Sequence, residues 1–405
     1  MFSLLKERNF RLLWLGQICS QFGDRLTQLV LVAVVASQAA GSTLTLAKVM
    51  AVTSLPGLLI NPFAGVYVDR WDRKQTMIIC DLIRAGTIAG LPWLAGHSSS
   101  IPLYAGVFFL FSVAVFFVPA RLAMIPAVVA SKDLARANAL FISSGMIGSA
   151  LILLAGALLV EWLGVARSCW INGACYLASA LFIMTIVRRR EPKPSKPHSF
   201  CRVLKEIREG VQELWKHRVT RHATALVGLM TAGAGASFVA GTVMIQQLLG
   251  SVTRDLGFLS LSLGIGMLIG ALVYGRWGTA ASRRLILGLS FLGSAAALWL
   301  FIAAVAWLRS GGFACATVAF LGFWIAPVGI VANILVHEGH TGRLHGRIFS
   351  SIGVVMNLAL IIAMLTAGWL AEQIGKETLL ASVAGIFAFS GVLLLCYTEQ
   401  RFQKS

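Results

Sequence analysis

The ten residues Gly65-Val66-Tyr67-Val68-Asp69-Arg70-Trp71-Asp72-Arg73-Lys74 set five charged side chains between two long apolar runs. Those runs, roughly residues 45–67 and 76–95, are each close to the 20 or so apolar residues that a helix needs to cross a hydrocarbon core. Working outward, the pattern repeats. Runs near 12–36, 101–119, 140–160 and 169–187 complete a first set of six, and 223–248, 256–274, 285–307, 312–336, 348–370 and 379–397 make a second. Of 405 residues, 58% are hydrophobic and 12% charged, against about 25% charged in ordinary soluble chains. A soluble enzyme is excluded, and the chain reads as an all-α membrane protein with twelve transmembrane helices.

The net charge of +18 has to be read by position, because loop lysines and arginines set membrane orientation. With the N-terminus in the cytosol, the inside segments collect 27 Lys/Arg and the outside loops four: Arg167, Arg254, Arg309 and Lys376. That asymmetry predicts both termini inside and argues against a nucleic-acid partner. Met1-Phe2-Ser3-Leu4-Leu5-Lys6 runs into the first apolar stretch without a small-residue cleavage site, so an uncleaved first helix is expected. The seven cysteines lie mostly inside apolar runs, where cysteine acts as a small hydrophobe, and no disulfide framework is expected.

The longest break, 188–221, opens with Arg188-Arg189-Arg190-Glu191-Pro192-Lys193-Pro194, a basic linker whose prolines cannot continue a helix. After it, Phe200, Val203, Leu204, Ile207, Val211, Leu214 and Trp215 recur at helical spacing between basic residues. This predicts an amphipathic helix on the cytosolic surface. The expected organisation is thus 1–187 as an N-terminal six-helix bundle, 188–221 as a cytosolic linker and 222–405 as a C-terminal six-helix bundle. The halves echo each other. Arg73-Lys74 answers Arg283-Arg284 at an offset of 210, and Pro119 answers Pro327 at 208. Phe141-Ile142-Ser143-Ser144 faces Phe349-Ser350-Ser351-Ile352, again at 208.

The loop follows G-x-x-x-D-R-x-G-R-K and, with the duplication, resembles the signature loop of the major facilitator superfamily. Gln17-Ile18-Cys19-Ser20-Gln21-Phe22-Gly23-Asp24, Leu134-Ala135-Arg136-Ala137-Asn138 and Gly346-Arg347-Ile348-Phe349 narrow the likeness to its macrolide-efflux and siderophore-exporter branch. The resemblance implies two pseudo-symmetric six-helix bundles that rock around a substrate site near the midplane. It also makes Asp69 a cytosolic gate group able to meet the positive N-terminal end of span 11. Gly65, Arg70, Arg73, Lys74 and the nearby Asp81–Arg84 pair, spaced i, i+3, belong to the same gate. One departure is Asp72, where the superfamily usually has Gly. Another is span 5, which lacks the Gly-Pro pair of drug antiporters and so argues against proton-coupled drug antiport.

For substrate or coupling, Gln17, Gln21, Asp24 and Gln28 are spaced 4, 3 and 4 and form one stripe on a helix. An ionisable residue inside a span faces water or a partner and marks a transport path. Asp24 is therefore the leading candidate, with Arg25 as its neighbour and either its partner or a link to another span. Asn61, Asn172, Asn333 and Asn357 are lone polar residues in spans, and Asn357 is the preferred cavity candidate. His337-Glu338-Gly339-His340 lacks zinc-protease spacing, no phosphate loop appears, and neither metal nor cofactor is expected. The expectation is a monomeric secondary-active exporter in a bacterial inner membrane, not an enzyme. It would move a small or amphiphilic compound, with a proton or cation as coupling ion. A lysophospholipid flippase and a divalent-metal exporter resembling ferroportin are the alternatives; span 1 of each shares the Gly23-Asp24 element.

Overall fold

In the computed structural model the described residues are 2–68, 70–97, 99–187, 208–209, 212, 214–216, 218–278, 282–339 and 344–396, and their regular elements are all helical. The long elements are α1 (Arg8–Gln38), α2 (Thr43–Leu59), α3 (Asn61–Val68), α4 (Arg73–Ala95), α5 (Ile101–Val128) and α6 (Leu134–Met184). There follow α7 (Arg218–Leu249), α8 (Arg254–Trp277), α9 (Arg283–Ile302), α10 (Gly311–Gly339), α11 (Leu344–Ile374) and α12 (Lys376–Cys396).

Among the described residues, ten helices are long and apolar enough to cross a membrane. The twelve expected spans are recovered once two irregularities are read physically. Span 2 is delivered as α2 and α3, interrupted at Ile60 where Pro62 has no amide to donate. Spans 5 and 6 are both contained in α6, which leaves helical geometry at Gly164 (φ 75°, ψ 176°). A positive φ of this kind is open to glycine at little cost, so one residue joins two spans without a loop. The expected inner end of span 4 at residue 119 is corrected. α5 continues through Pro119 to Val128, so Arg121, expected in a loop, lies inside a helix. Most of the expected surface helix at 200–215 lies outside the described residues, as do Asp69 and His340.

Packing divides the chain into two units, Met1–Gln38 with Val52–Val203, and Ala39–Ala51 with Leu204–Ser405. The start of span 2, expected in the N-terminal bundle, thus sorts with the second unit. Hydrogen bonds join it there. Thr43 Oγ1 donates to the Gly368 carbonyl (2.8 Å), while the Ser42 hydroxyl (2.7 Å) and the Leu44 amide (3.1 Å) donate to the Glu372 carboxylate.

In the first unit, α1 lies along α6, α4 packs on α5 and α6, and α3 on α5. Phe10, Leu13, Met77, Phe117, Phe141 and Ile183 fill its inner core. In the second unit, α8 packs on α10, α9 on α10 and α12, and α7 on α11. Gly266 and Gly270 on α8 let the backbones of α8 and α10 touch, because a Cβ at either would collide with the Ala319 or Phe323 carbonyl. Lipid offers little hydrophobic drive between helices, so such close approach is how they gain packing energy.

The duplication reappears as hardware. Asp72 is the N-cap of α4, its Oδ1 accepting from the Gln75 amide (2.9 Å), and Ser282 caps α9 by accepting from the Leu285 amide (3.3 Å). Asp72 therefore satisfies a helix-end donor that a glycine would leave to water. Lys74 donates to the Met184 (2.7 Å) and Ile186 (3.0 Å) carbonyls at the end of α6, and Arg284 does the same to Leu394 and Leu395 at the end of α12. Cations at helix C-termini also complement the dipole. Arg73 reaches the Ala123 carbonyl of α5 (3.0 Å). Within each unit, then, the signature-loop cations clamp neighbouring helix ends.

Candidate functional site: a buried charge cluster on α1, α4 and α6

Halfway along α1, Gly23 sets how closely α6 can approach. A Cβ there would stand 2.7 Å from the Tyr176 ring and 2.8 Å from the Asn172 Oδ1. With hydrogen in that place, Asn172 donates to Thr27 Oγ1 (2.8 Å), Thr27 donates to the Gly23 carbonyl (2.9 Å), and Tyr176 donates to Asp24 Oδ1 (2.9 Å).

Onto this seam α4 brings Arg84, which is fully buried. Its Nη1 donates to Asp24 Oδ1 (2.8 Å), and its Nη2 to Ser20 Oγ (2.9 Å) and to Asp81 Oδ1. Its guanidinium carbon lies 4.6 Å from the Phe117 ring centre and 4.5 Å from that of Tyr176. A buried guanidinium is tolerable only when paired and hydrogen-bonded, and cation–π faces add to the compensation. The cluster holds two carboxylates against this one guanidinium. Asp81 is sealed, whereas the Asp24 side chain is 42% exposed. Asp24 is therefore the accessible carboxylate of the cluster.

The structure places the remaining sequence candidates as follows. Arg25 is not the partner of Asp24. It donates to Gln28 Oε1 (3.2 Å) and, across to α6, to Ser149 Oγ (3.4 Å). An adjacent residue points about 100° away around a helix, which puts Asp24 within reach of α4 and leaves Arg25 to α6. Gln17 is buried and donates to the Phe141 carbonyl (3.5 Å), and Gln21 lies against Gly145. Gln17 and Gln21 thus contact the first half of α6. Asp81 and Arg84, expected with the signature loop, are brought instead to Asp24. Gly65 falls in α3, Arg70 is exposed in the turn after it, and Asn357 is half-buried on α11 in the second unit. Tyr176, Ser20 and Thr27 were not singled out from sequence. A phenol in an apolar run looks like core, and only its partner reveals otherwise.

The second unit carries no such cluster at the matching positions. An offset of 210 takes Gly23 to Gly233, Asp24 to Ala234, Asp81 to Phe291 and Arg84 to Ser294. Gly233 is again overlain by an aromatic ring, that of Phe387, which meets Phe291 edge-on at 5.6 Å. The close seam is kept and the charges are replaced by hydrocarbon. Among the described residues no group of three or more His, Cys, Asp or Glu side chains gathers to hold a metal.

A helical membrane protein with a paired ion cluster inside one unit, and a carboxylate of that cluster left accessible, is built as a multi-pass transporter. A sequence profile of the Major Facilitator Superfamily matches residues 13–259, and the chain belongs to that superfamily. It is 26% identical over 356 residues to the putative bacilysin exporter BacE of Bacillus subtilis (strain 168), covering 87% of this chain and 86% of that one. It is also 26% identical over 402 residues to macrolide efflux protein A of Streptococcus pyogenes, covering 96% and 93%. The multidrug efflux pump Tap of Mycolicibacterium fortuitum matches at 26% over 342 residues, covering 83% and 82%. Among solved structures, an inward-facing bacterial homologue of the iron transporter ferroportin superposes with a TM-score of 0.74 at 12% identity, covering 96% and 99%. The nucleoside transporter NupG gives 0.72 at 14%, also covering 96% and 99%. At these identities the structural likenesses show a shared fold.

Proposed function

We propose that the protein is a secondary-active exporter of a small or amphiphilic compound, working by alternating access in a bacterial inner membrane, with Asp24 as its substrate-pairing or coupling group. The observation that carries this is the setting of Asp24. Its Oδ1 is held by Arg84 and Tyr176 while 42% of the side chain stays exposed within a membrane-spanning unit. An intramembrane carboxylate so positioned can exchange partners without unfolding its surroundings, because Arg84 keeps Asp81. The export direction is supported by the three efflux relatives, and Asp69 with Arg73 serves as the cytosolic gate.

Asp24→Asn is expected to fold and to lose gradient-driven uphill transport in proteoliposomes by tenfold or more. Retained substrate exchange would identify Asp24 as the coupling group, and loss of both activities would identify it as the substrate's counter-ion. A stable Asp24→Asn protein with wild-type uphill transport refutes the assignment. The proposed orientation places both ends and the central linker in the cytosol. Cysteines introduced at Pro194 and at Ser405 should therefore resist an impermeant thiol reagent in intact cells and react after permeabilisation; labelling of either in intact cells rejects it.

A further inference from the structure

One cation beside the cluster has no role in the reading above. Arg121 lies in α5 between Pro119 and Pro126 and one turn on from Phe117, the ring that covers Arg84. Residues four apart share a helix face, so Arg121 lies on the same face of α5 as the ring that meets the cluster. Among the described residues Arg121 makes no ion pair. Its Nε is buried without a hydrogen-bond partner. Asp24 is not its partner. Both of the hydrogen bonds to Asp24 fall on Oδ1, from Arg84 and Tyr176, and Asp81 Oδ1 is also taken by Arg84.

A guanidinium kept in an apolar span without its anion is costly, and intramembrane cations mark substrate or ion paths. The first unit thus offers two unspent groups of opposite sign, the accessible side of Asp24 and the guanidinium of Arg121. Between them stand Arg84, which donates to Asp24, and the Phe117 ring, which covers Arg84 one helical turn along α5 from Arg121.

We propose that Arg121 receives an anionic group of the transported compound while Asp24 holds its cationic group, so that the substrate is a zwitterion with well-separated charges. This deepens, and rests on, the reading of Asp24 as a substrate-pairing residue. Charge separation is what the site would select: a compound with adjacent charges reaches one group or the other, and a longer one reaches both.

The test uses the purified full-length chain and titrates the ligand-induced rise in melting temperature. The probes are 6-aminohexanoate, 4-aminobutanoate, hexylamine, hexanoate and inorganic phosphate. Wild type is expected to bind 6-aminohexanoate more tightly than hexylamine, hexanoate or the shorter zwitterion. Arg121→Gln should weaken 6-aminohexanoate about tenfold, the equivalent of about 1.4 kcal/mol, and leave hexylamine unchanged, while Arg121→Lys keeps most of the zwitterion's advantage. The proposal is overturned if wild type shows no preference for 6-aminohexanoate, or if Arg121→Gln binds it as wild type does. Equal loss of hexylamine and the zwitterion would make Arg121 structural and also overturn it. Phosphate binding as tight as the zwitterion's would replace it with a free-anion site. Asp24→Asn forms a separate arm: unaltered hexylamine binding there removes the Asp24 reading, whereas unaltered 6-aminohexanoate binding in Arg121→Gln removes the zwitterion alone.

Discussion

Arg84→Gln is expected to destabilise the protein by about 3–5 kcal/mol, the cost of breaking a buried ion pair by removing one partner. The side chain is fully buried and donates to Asp24, Asp81 and Ser20 between two aromatic faces. Without it, the sealed Asp81 carboxylate keeps the Ser20 hydroxyl as a donor (3.4 Å) but has no counter-charge. Glutamine can donate one or two of the lost hydrogen bonds but supplies no cation. The loss should appear as a large drop in melting temperature of the detergent-solubilised protein. Adding Asp81→Asn to the same chain should recover a substantial part, because the stranded charge is then gone. Arg84→Lys should not rescue well, since an ammonium cannot lie flat between the Phe117 and Tyr176 rings. A single Arg84→Gln mutant melting within a degree or so of wild type would show that the cluster is not what holds α4 to α1.

Gly23→Ala is expected to be the most damaging one-carbon change on α1. The new methyl would stand 2.7 Å from the ring of Tyr176 and 2.8 Å from Asn172 Oδ1. Neither can yield easily: both residues are fully buried, and Tyr176 is stacked on Arg84. Forced overpacking costs about 1–3 kcal/mol, and pushing the ring aside also stretches its hydrogen bond to Asp24. Stability and transport should therefore fall together. Gly86→Ala on α4 is the control, because nothing lies within 4 Å of a Cβ there. Gly-to-Ala in a helix interior gains about 0.5–1 kcal/mol, so this variant should melt at or above the wild-type temperature. If Gly23→Ala behaved like Gly86→Ala, the close seam between α1 and α6 would be refuted.

Spans were legible in the sequence because burial in lipid demands long apolar runs, and the charged loops between them leave little choice of boundary. Local interruptions were less so. Pro119 reads as a stop, yet α5 passes through it, and Arg121 moves from a loop into the span. In a membrane, neighbouring groups can re-satisfy the carbonyl that a proline frees. Gly164 reads as one glycine among 40, but its positive φ turns one continuous stretch into two spans.

The site was legible residue by residue and not as a set. Periodicity says which residues share a face of one helix, so Asp24, Asp81 and Arg84 were all picked out. It says nothing about which other helix that face meets. Arg25 was thus open as the partner of Asp24 when the partner is 60 positions away on α4. Tyr176 stayed invisible for the same reason, since its hydroxyl matters only through Asp24. Asp72 was visible as a departure from pattern, and its reason, an N-cap, needed the backbone of α4.

The exchange of charge for hydrocarbon between the two units bears on how the protein feels an energised membrane. A charge carried across the full membrane potential exchanges about 2.3 kcal/mol per 100 mV. In the first unit Asp24, Asp81 and Arg84 give that field something to grip, whereas Ala234, Phe291 and Ser294 at the matching places give it nothing. Voltage therefore has a handle on this cluster in the first unit that the matching residues of the second unit do not offer.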